Sequence, residues 1–202
     1  TFDVGVDFSA FQSRLNVTLD WYTSKTKDLL YTYTVPVPPF TYNTLLANMG
    51  QMTNSGFEIG VRGDIIRTKD FTFNSGLNLS FQQNKLNTLS GTYKGQALTT
   101  SEHIAVANIN AAGLTQNTGV TYLIEGQPIG VFYLPHCEGI NANGQYIITD
   151  LDKNGTIDTG DSGDRYVCGQ AIPKAYLGWD FTFKYKNWDL AMQFNGAFGH
   201  KI

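Results

Sequence analysis

Residues 71–82, FTFNSGLNLSFQ, and residues 175–198, AYLGWDFTFKYKNWDLAMQFNGAF, decide the fold. In both stretches apolar side chains alternate with polar or small ones, which is the period of an extended strand with two different faces. Lys186-Asn187 interrupts the second stretch, so its two halves read as a hairpin with a tight turn. Both stretches predict antiparallel β-structure with one apolar face.

The same alternation occurs in six stretches along the chain. They predict strands at about 2–11, 15–33, 56–66, 70–83, 174–186 and 188–199. Short turns, at 12–14, 67–70 and 186–187, alternate with long connections at about 35–55 and 84–173. Within the second long connection, residues 102–112 are predicted as one short helix.

The composition indicates a chain that contacts lipid. Charged residues make up 15% of the sequence, below the roughly 25% of soluble domains. Aromatic residues reach 13%, and there are 21 glycines. Because the sequence lacks the uninterrupted apolar run of about 18 residues that a membrane helix needs, only a β-barrel could span a bilayer. A soluble β-sandwich is the alternative.

The lengths of the connections favour the barrel over the sandwich. Outer-membrane barrels place short turns on the periplasmic side and long loops outside, and their strands alternate lipid-facing apolar with lumen-facing polar residues. A sandwich gives no reason for connections to sort by length. We therefore predict an all-β fold: an antiparallel meander of about six transmembrane strands from a large outer-membrane β-barrel, with long extracellular loops. Trp21, Tyr185 and Trp188 near strand ends suit interfacial aromatic belts, although core packing would also explain each of them.

Charge and histidine placement exclude several functions. The formal net charge is −3 and the basic residues are scattered, so no nucleic-acid partner is expected. His103, His136 and His200 are too dispersed to complete a triad with a nominated nucleophile. No catalytic residues are predicted, and the chain is not expected to be an enzyme.

One segment carries explicit metal chemistry. An acidic loop begins at Asp150 and follows the spacing of an EF-hand-type calcium loop, with Gly155 at the sixth position for the sharp turn. The candidate ligands are Asp150, Asp152, Asn154, Thr156, Asp158 and Asp161. No amphipathic helices flank the loop, so any calcium would be structural. The alternative is an ordinary Asp/Asn/Gly-rich turn.

Two cysteines, Cys137 and Cys168, bracket this loop. Their spacing lacks the CxxC or histidine partners of a zinc site. Outside the cell a disulfide between them would be chemically permitted. They are either a candidate disulfide pair or two unpaired thiols.

Several motifs, in order, resemble the SusC/RagA family of TonB-linked outer-membrane proteins. The family's patterns are matched by KTKDLL at 25–30, NMGQMTNSGFEI at 48–59, DFTF at 70–73, NLSF at 78–81 and EGQPIGVFY at 125–133. The resemblance runs from about residue 1 to 199. It implies the later part of the barrel, with the plug and the TonB box absent, so the chain is interpreted as a fragment.

The resemblance also implies a function. It points to the outer membrane of a Gram-negative bacterium and to import of glycans or peptides, with a SusD-like surface lipoprotein and TonB as partners. This chain would supply barrel wall against outer-membrane lipid, and loops facing an oligosaccharide or peptide substrate. Substrate-binding residues are not assigned, although Tyr93, Tyr122, Phe132 and Tyr133 are aromatics on the long loop. The alternative is a calcium-dependent glycan-binding surface β-domain without transport activity.

Overall fold

In the computed structural model, which describes residues 1–109, 118–160 and 163–201, every regular element is a β-strand. The strands are β1 (Phe2–Ala10), β2 (Leu15–Thr34), β3 (Thr44–Arg67), β4 (Phe71–Thr88), β5 (Gly91–Tyr93), β6 (Gln96–Leu98), β7 (His103–Ile109), β8 (Thr118–Ile124), β9 (Val131–Pro135), β10 (Cys137–Ile140), β11 (Tyr146–Ile148), β12 (Arg165–Gln170), β13 (Ala175–Tyr185) and β14 (Trp188–Phe198). No helix in the described ranges is long and apolar enough to cross a membrane.

The largest sheet has six strands in the order β1-β2-β3-β4-β13-β14. The sheet contains three hairpins, whose turns are the short connections at 11–14, 68–70 and 186–187. Where β13 meets β14, the register runs without a break from Ala175 opposite Phe198 to Tyr185 opposite Trp188. The predicted antiparallel meander of six strands is confirmed, and the strands that the structure describes form an open sheet, not a closed barrel.

The chain divides into two compact units. The first consists of residues 1–25, 53–84 and 172–200, and contains the short turns of the six-stranded sheet. The second consists of residues 26–52 and 85–171 with the last two residues. Its described part holds residues 26–34 of β2, 44–52 of β3 and 85–88 of β4, and all the strands from β5 to β12.

In the first unit the apolar face of the sheet is open to its surroundings. Phe8, Trp179 and Phe194 lie on this face and keep 57%, 42% and 48% of their surface exposed. The rings also contact one another: Phe73 stacks on Phe183 at 4.4 Å between centroids, and Trp179 lies 5.7 Å from Phe194. Aromatic contacts between strands stabilise a sheet, but an aqueous solvent would leave this band unfavourably exposed.

Ser75 is a polar residue on the otherwise apolar face. It lies opposite Phe181 in the register of β4 with β13. Its hydroxyl donates to the carbonyl oxygen of Asp180 at 3.1 Å and accepts a hydrogen bond from Trp179 Nε1 at 2.9 Å. The indole N–H of Trp179 is therefore satisfied within the sheet, as an environment without water requires.

The strand β3 begins at Thr44, so the predicted loop at 35–55 was wrong over most of its length; the connection is residues 35–43. Asn48, Gly50 and Asn54 are poor strand formers, which made this segment look irregular. Its packing overrides that preference. A Cβ at Gly50 would come within 2.8 Å of Leu29 Cβ, and one at Gly56 within 2.5 Å of the Tyr22 ring, so glycine allows the close approach of neighbouring strands.

The buried cluster of the second unit explains why this part of β3 is extended. Tyr33, Val35, Ala47 and Leu98 form its centre, and Leu45 and Met49 pack against it. Leu45, Ala47 and Met49 share one side of β3 because side chains alternate along a strand. Burial of that side against β2 and its neighbours fixes the strand.

The predicted long loop at 84–173 is largely structured. β4 continues to Thr88, and the described residues form eight further strands, β5 to β12, before β13 begins. Four of these form a sheet in the order β12-β9-β8-β7, and the pairs β5-β6 and β10-β11 form two small ladders.

The predicted helix at 102–112 was wrong over its described residues, because residues 103–109 form β7. Residues 110–112 lie outside the described part of the chain. The register of β7 with β8 shifts between Ala105 and Ala107 and again between Ala107 and Asn108. At these irregularities the side chains do not alternate strictly between the two faces of the strand. The sequence IAVA at 104–107 therefore lacks the alternation that predicts a strand.

We predict that Ser75→Ala lowers the free energy of unfolding by about 1–3 kcal/mol, because it leaves the Trp179 N–H without an acceptor on the apolar face. Denaturant titration of the purified protein in detergent micelles measures this loss. In a Trp179→Phe background, Ser75→Ala should lower the free energy of unfolding by clearly less, because no indole N–H remains that needs an acceptor. Equal losses in the two backgrounds would show that the hydrogen bond contributes nothing.

Candidate functional site

A groove of about 510 Å³ lies on the face of the first unit that carries polar side chains. Its lining includes Thr18, Asp20, Glu58, Gly60, Asn78, Ser80, Tyr176, Gly178 and Asn195. These residues come from five neighbouring strands, β2, β3, β4, β13 and β14. The strict alternation of each strand brings them to one face.

Two glycines form the floor of the groove on either side of Asn78. Gly178 lies opposite both Asn78 and Asn195. A methyl group at Gly178 would lie 3.8 Å from Asn195 Oδ1, and one at Gly60 would lie 3.4 Å from Asn78 Oδ1. The missing side chains therefore create the depression, and amide groups supply donors and acceptors along it.

The groove carries negative charge on one side. Asp20 and Glu58 line it together, and the Ser80 hydroxyl donates to Glu58 Oε1 at 3.3 Å. Across the described ranges, neither carboxylate has a lysine or arginine within ion-pair distance; the ion pairs of this unit are Arg62 with Asp180 at 3.2 Å and Arg67 with Asp64 at 4.0 Å. The side with Asp20 and Glu58 can accept hydrogen bonds from hydroxyl or cationic groups of a solute.

The acidic loop lies between β11 and β12 in the second unit. Asp150, at its start, accepts hydrogen bonds from the backbone N–H of Gly155 at 2.8 Å and of Asn154 at 3.2 Å. Gly155 has a φ of +85°, so the chain makes the sharp turn that the motif places at this glycine. The hydrogen bond from the N–H of Gly155 is the main cause that holds the pKa of the Asp150 carboxyl below its ordinary value; burial opposes it, and hydrogen bonds with Asp152, Lys153 and Asn154 add to the lowering.

The structure brings only part of the predicted ligand set together. Carboxylate oxygens of Asp150, Asp152 and Asp164 lie within 4.8 Å of one another. Asn154 Oδ1 accepts from the backbone N–H of Thr156 at 2.8 Å, and Asp158 Oδ1 accepts from that of Gly160 at 2.8 Å. Asp158 is thus not in the cluster, contrary to the expectation for its position.

Asp161, the remaining predicted ligand, lies outside the described residues. Asn154 and Thr156 lie in the same turn, where the Thr156 hydroxyl also donates to Asn154 Oδ1.

Asp164 is the residue that the motif did not identify. Its side chain is buried, with 1% of its surface exposed, and its two oxygens accept from the backbone N–H groups of Leu151 at 2.7 Å and Asp158 at 2.9 Å. It closes the loop by holding both ends. Three carboxylates suit a hard cation such as calcium, but Asp164 also has a structural task as an acceptor for the backbone.

The candidate disulfide is not formed, since Cys137 and Cys168 are free thiols in this structure. Cys137 is in β10, which pairs with β11, whereas Cys168 is in β12, which pairs with β9. Each thiol has its own acceptor: Gly139 O for Cys137 and Phe132 O for Cys168. The different strand partners direct the two side chains to different neighbours.

Two of the loop aromatics considered for substrate contact are buried. Tyr122 and Tyr133 keep 0% and 8% of their surface exposed and make an edge contact at 5.5 Å. The Arg165 guanidinium donates to the Tyr122 hydroxyl at 2.7 Å, and its Nε donates to Thr159 O at 2.8 Å. Both tyrosines are therefore packing residues of the second unit, and Tyr122 helps to anchor the end of the acidic loop through Arg165.

Glu125 fastens the turn after β8 to the end of β4. Its Oε1 accepts from the backbone N–H groups of Leu89 at 2.6 Å and Ser90 at 2.9 Å, and from the hydroxyls of Ser90 and Thr88 at 3.0 Å each. The next residue extends this contact, because the N–H of Gly126 donates to Leu86 O at 2.7 Å. The EGQP motif at 125–128 therefore has a structural role in the second unit.

Burial alone would raise the pKa of Glu125, but the hydrogen bonds from Leu89, Ser90 and Thr88 outweigh it and hold the pKa below the ordinary value. A carboxyl with a lowered pKa stabilises the fold above the unfolded-state value of about 4.3, and loses that effect as the pH falls through the folded-state pKa. The contact should therefore be intact at neutral pH and weaken only under acidic conditions.

We predict that Glu125→Gln accelerates amide hydrogen exchange at Leu89 and Ser90 at pH 7, because a neutral amide accepts these hydrogen bonds less strongly. Exchange measured by mass spectrometry on the purified protein tests this, with Glu102→Gln as the matched control on an exposed carboxylate. Unchanged exchange at both amides in Glu125→Gln would contradict the assigned role.

Comparison with known proteins gives one consistent result. The family model for "TonB dependent receptor-like, beta-barrel" matches residues 1–196. TonB-dependent receptor P3 of Formosa agariphila is 28% identical over 217 residues, an alignment that covers 99% of this chain and 20% of that protein. TonB-dependent receptor SusC of Bacteroides thetaiotaomicron is 27% identical over 205 residues, covering 100% of this chain and 19% of SusC.

Among solved structures, the RagAB peptide transporter shares the fold with a TM-score of 0.67 at 20% identity, over 98% of this chain and 20% of that one. The chain thus spans about a fifth of the length of the relatives it matches. The alternating six-stranded sheet, the motif series and a family match over almost the whole sequence agree, and the chain belongs to the TonB-dependent receptor β-barrel family, with SusC among its homologues.

Proposed function

We propose that this chain forms part of the wall of an outer-membrane, TonB-dependent importer of glycans or peptides. The observation that carries the proposal is the two-faced sheet of the first unit. One face is an exposed apolar band of rings and aliphatic side chains, and the opposite face bears a polar groove floored by Gly60 and Gly178. Lipid against the first face and an aqueous lumen against the second would satisfy both.

The family supports the rest of the proposal. Its members are TonB-dependent receptors. This is a family of transporters and not of enzymes. One structural relative is a peptide transporter and one homologue is SusC. We infer the same arrangement for this protein: energy coupling through TonB, capture of the substrate with a SusD-like surface lipoprotein, and residence in the outer membrane of a Gram-negative bacterium.

The polar groove fits either substrate class by its chemistry. Carboxylates and amides such as Glu58, Asn78 and Asn195 accept hydrogen bonds from sugar hydroxyls and from peptide N–H groups alike. Tyr176, which also lines the groove, offers a ring for stacking.

An uptake assay tests the proposal. The intact receptor is expressed in Gram-negative cells supplied with fluorescent oligopeptides in one arm and oligosaccharides in the other. We expect accumulation of one class, and we expect deletion of TonB to abolish it. Gly178→Trp, which fills the groove, should lose most of the uptake, whereas Leu190→Trp, on the exposed apolar face and outside the groove, should keep it.

Two results would overturn the proposal. Accumulation that persists without TonB would exclude energy-coupled import. Surface binding of glycan that requires calcium and never leads to accumulation would favour the alternative, a glycan-binding surface domain.

We also propose that the acidic loop holds a structural calcium ion through Asp150 and Asp152. The convergence of these carboxylates with Asp164 and the turn at Gly155 support it. Calcium would supply charge neutralisation and would stiffen the loop; it has no part in transport itself.

Calorimetric titration of the EDTA-treated, intact receptor with calcium tests this. Binding is expected in the wild type and in Asp158→Asn, because an asparagine keeps the acceptor for Gly160. It should be lost in Asp152→Asn, which removes one converging charge. A flat titration of folded wild-type protein, or equal binding in both variants, would contradict the ion site.

A further inference from the structure

A second cavity, of about 300 Å³, lies in the first unit at the end where the short turns are. It is lined by Phe11, Arg14, Leu15, Gly63, Asp64 and Ile65. Phe11 and Arg14 belong to the turn between β1 and β2, and Gly63 to Ile65 lie near the end of β3. The N–H of Asp64 donates to Arg14 O at 2.7 Å, so the residue that precedes β2 is hydrogen-bonded to β3 beside the cavity.

Three of the lining residues lie on the apolar face of the sheet. Leu15, Gly63 and Ile65 continue the apolar positions of β2 and β3, while Asp64 lies on the alternate, polar positions. Phe11 and Ile65 keep 73% and 55% of their surface exposed. Phe11, Leu15 and Ile65 therefore give the cavity an apolar wall beside the polar lining residues Arg14 and Asp64.

Gly63 creates the space. A Cβ at this position would have Arg14 O as its nearest neighbour at 3.6 Å, an ordinary contact distance. A larger residue could therefore occupy the position without a backbone clash. The cavity exists because this apolar-face position carries no side chain.

Arg14 places a positive charge at the rim. Its Nη2 donates to Asp64 O at 3.0 Å and to Ile65 O at 3.4 Å, which fixes the guanidinium beside the cavity. Within the described ranges Arg14 has no ion pair, whereas the neighbouring Asp64 carboxylate lies 4.0 Å from Arg67. The Nε and Nη1 donors of Arg14 are free of acceptors in the same ranges and can bind an anion.

We propose that this cavity binds one glycerophospholipid, with the lipid phosphate on Arg14 and an acyl chain against Phe11, Leu15 and Ile65. A fixed guanidinium next to an apolar wall complements an anionic headgroup joined to a hydrocarbon chain. Aromatic and cationic side chains at the membrane boundary match this level of a barrel. The inference rests on the proposed function only in requiring the apolar face to lie against lipid.

Native mass spectrometry of the intact receptor, released from detergent, tests the proposal. Dipalmitoyl phosphatidylglycerol is titrated as the probe, with dipalmitoylglycerol as the same chains without phosphate, and with inorganic phosphate as a competitor. We expect one tightest-bound phosphatidylglycerol, no equivalent binding of dipalmitoylglycerol, and no displacement by inorganic phosphate.

Substitutions locate the site. Arg14→Gln should weaken the tightest lipid by about tenfold, the effect of one charge-assisted contact. Gly63→Leu, which fills the cavity and keeps Arg14, should abolish it, and Gly63→Ala should retain most of it. Lys69→Gln, a cation in the neighbouring turn outside the cavity, is the matched control and should bind as wild type.

Three results would overturn the inference: unchanged binding in both Gly63→Leu and Arg14→Gln, equal weakening in Lys69→Gln and Arg14→Gln, or displacement of the lipid by inorganic phosphate alone. If Gly63→Leu does not fold, Arg14→Gln against Lys69→Gln decides the question. Uptake of substrate is measured separately. A wild-type receptor that imports substrate but binds no phosphatidylglycerol at this cavity would overturn only this inference, and a wild-type receptor that binds the lipid but imports nothing would overturn only the proposed function.

Discussion

The structure depends on the pairing of β13 with β4 on one side and β14 on the other. A strand within a bilayer has no water for its backbone groups, so each N–H and C=O must find a partner in a neighbouring strand. β13 meets this condition with an unbroken register on both sides, from Ala175 to Tyr185. A slip of one residue would carry Asp180 and Lys184 to the apolar face, so the alternation of side chains fixes the register as firmly as the hydrogen bonds do.

In the second unit, buried or hydrogen-bonded carboxylates satisfy backbone N–H groups that no described strand pairs with. Glu125 collects four hydrogen bonds at the end of β4, and the buried Asp164 holds both ends of the acidic loop. Acidic groups in this family segment therefore do more than accept cations or solutes. In long connections that lack a large apolar core, a charge-assisted hydrogen bond to backbone N–H groups defines the path of the chain.

The sheet could be predicted from sequence because its determinants are local: alternation in 71–82 and 175–198, and tight turns such as Lys186-Asn187. The errors arose where distant contacts decide. Residues 44–55 looked like a loop, but Gly50 and Gly56 allow close strand approach and Ala47 joins a buried cluster. Bulges near Val106 hid the strand β7. Asp164 lies beyond the twelve positions of the calcium motif, and only folding brings it to Asp150.

If the chain is barrel wall, the apolar face of the six-stranded sheet lies against lipid and the opposite face against water. Nitroxide labels on single cysteines, placed in turn at Leu190, Ala191, Met192, Gln193, Phe194 and Asn195 of β14 in a Cys137→Ser, Cys168→Ser background, measure this in the intact receptor reconstituted in bilayers. We expect accessibility to oxygen to peak at residues 190, 192 and 194, and accessibility to a water-soluble nickel complex to peak at 191, 193 and 195. Accessibility without a period of two, or nickel access at 190, 192 and 194, would contradict it.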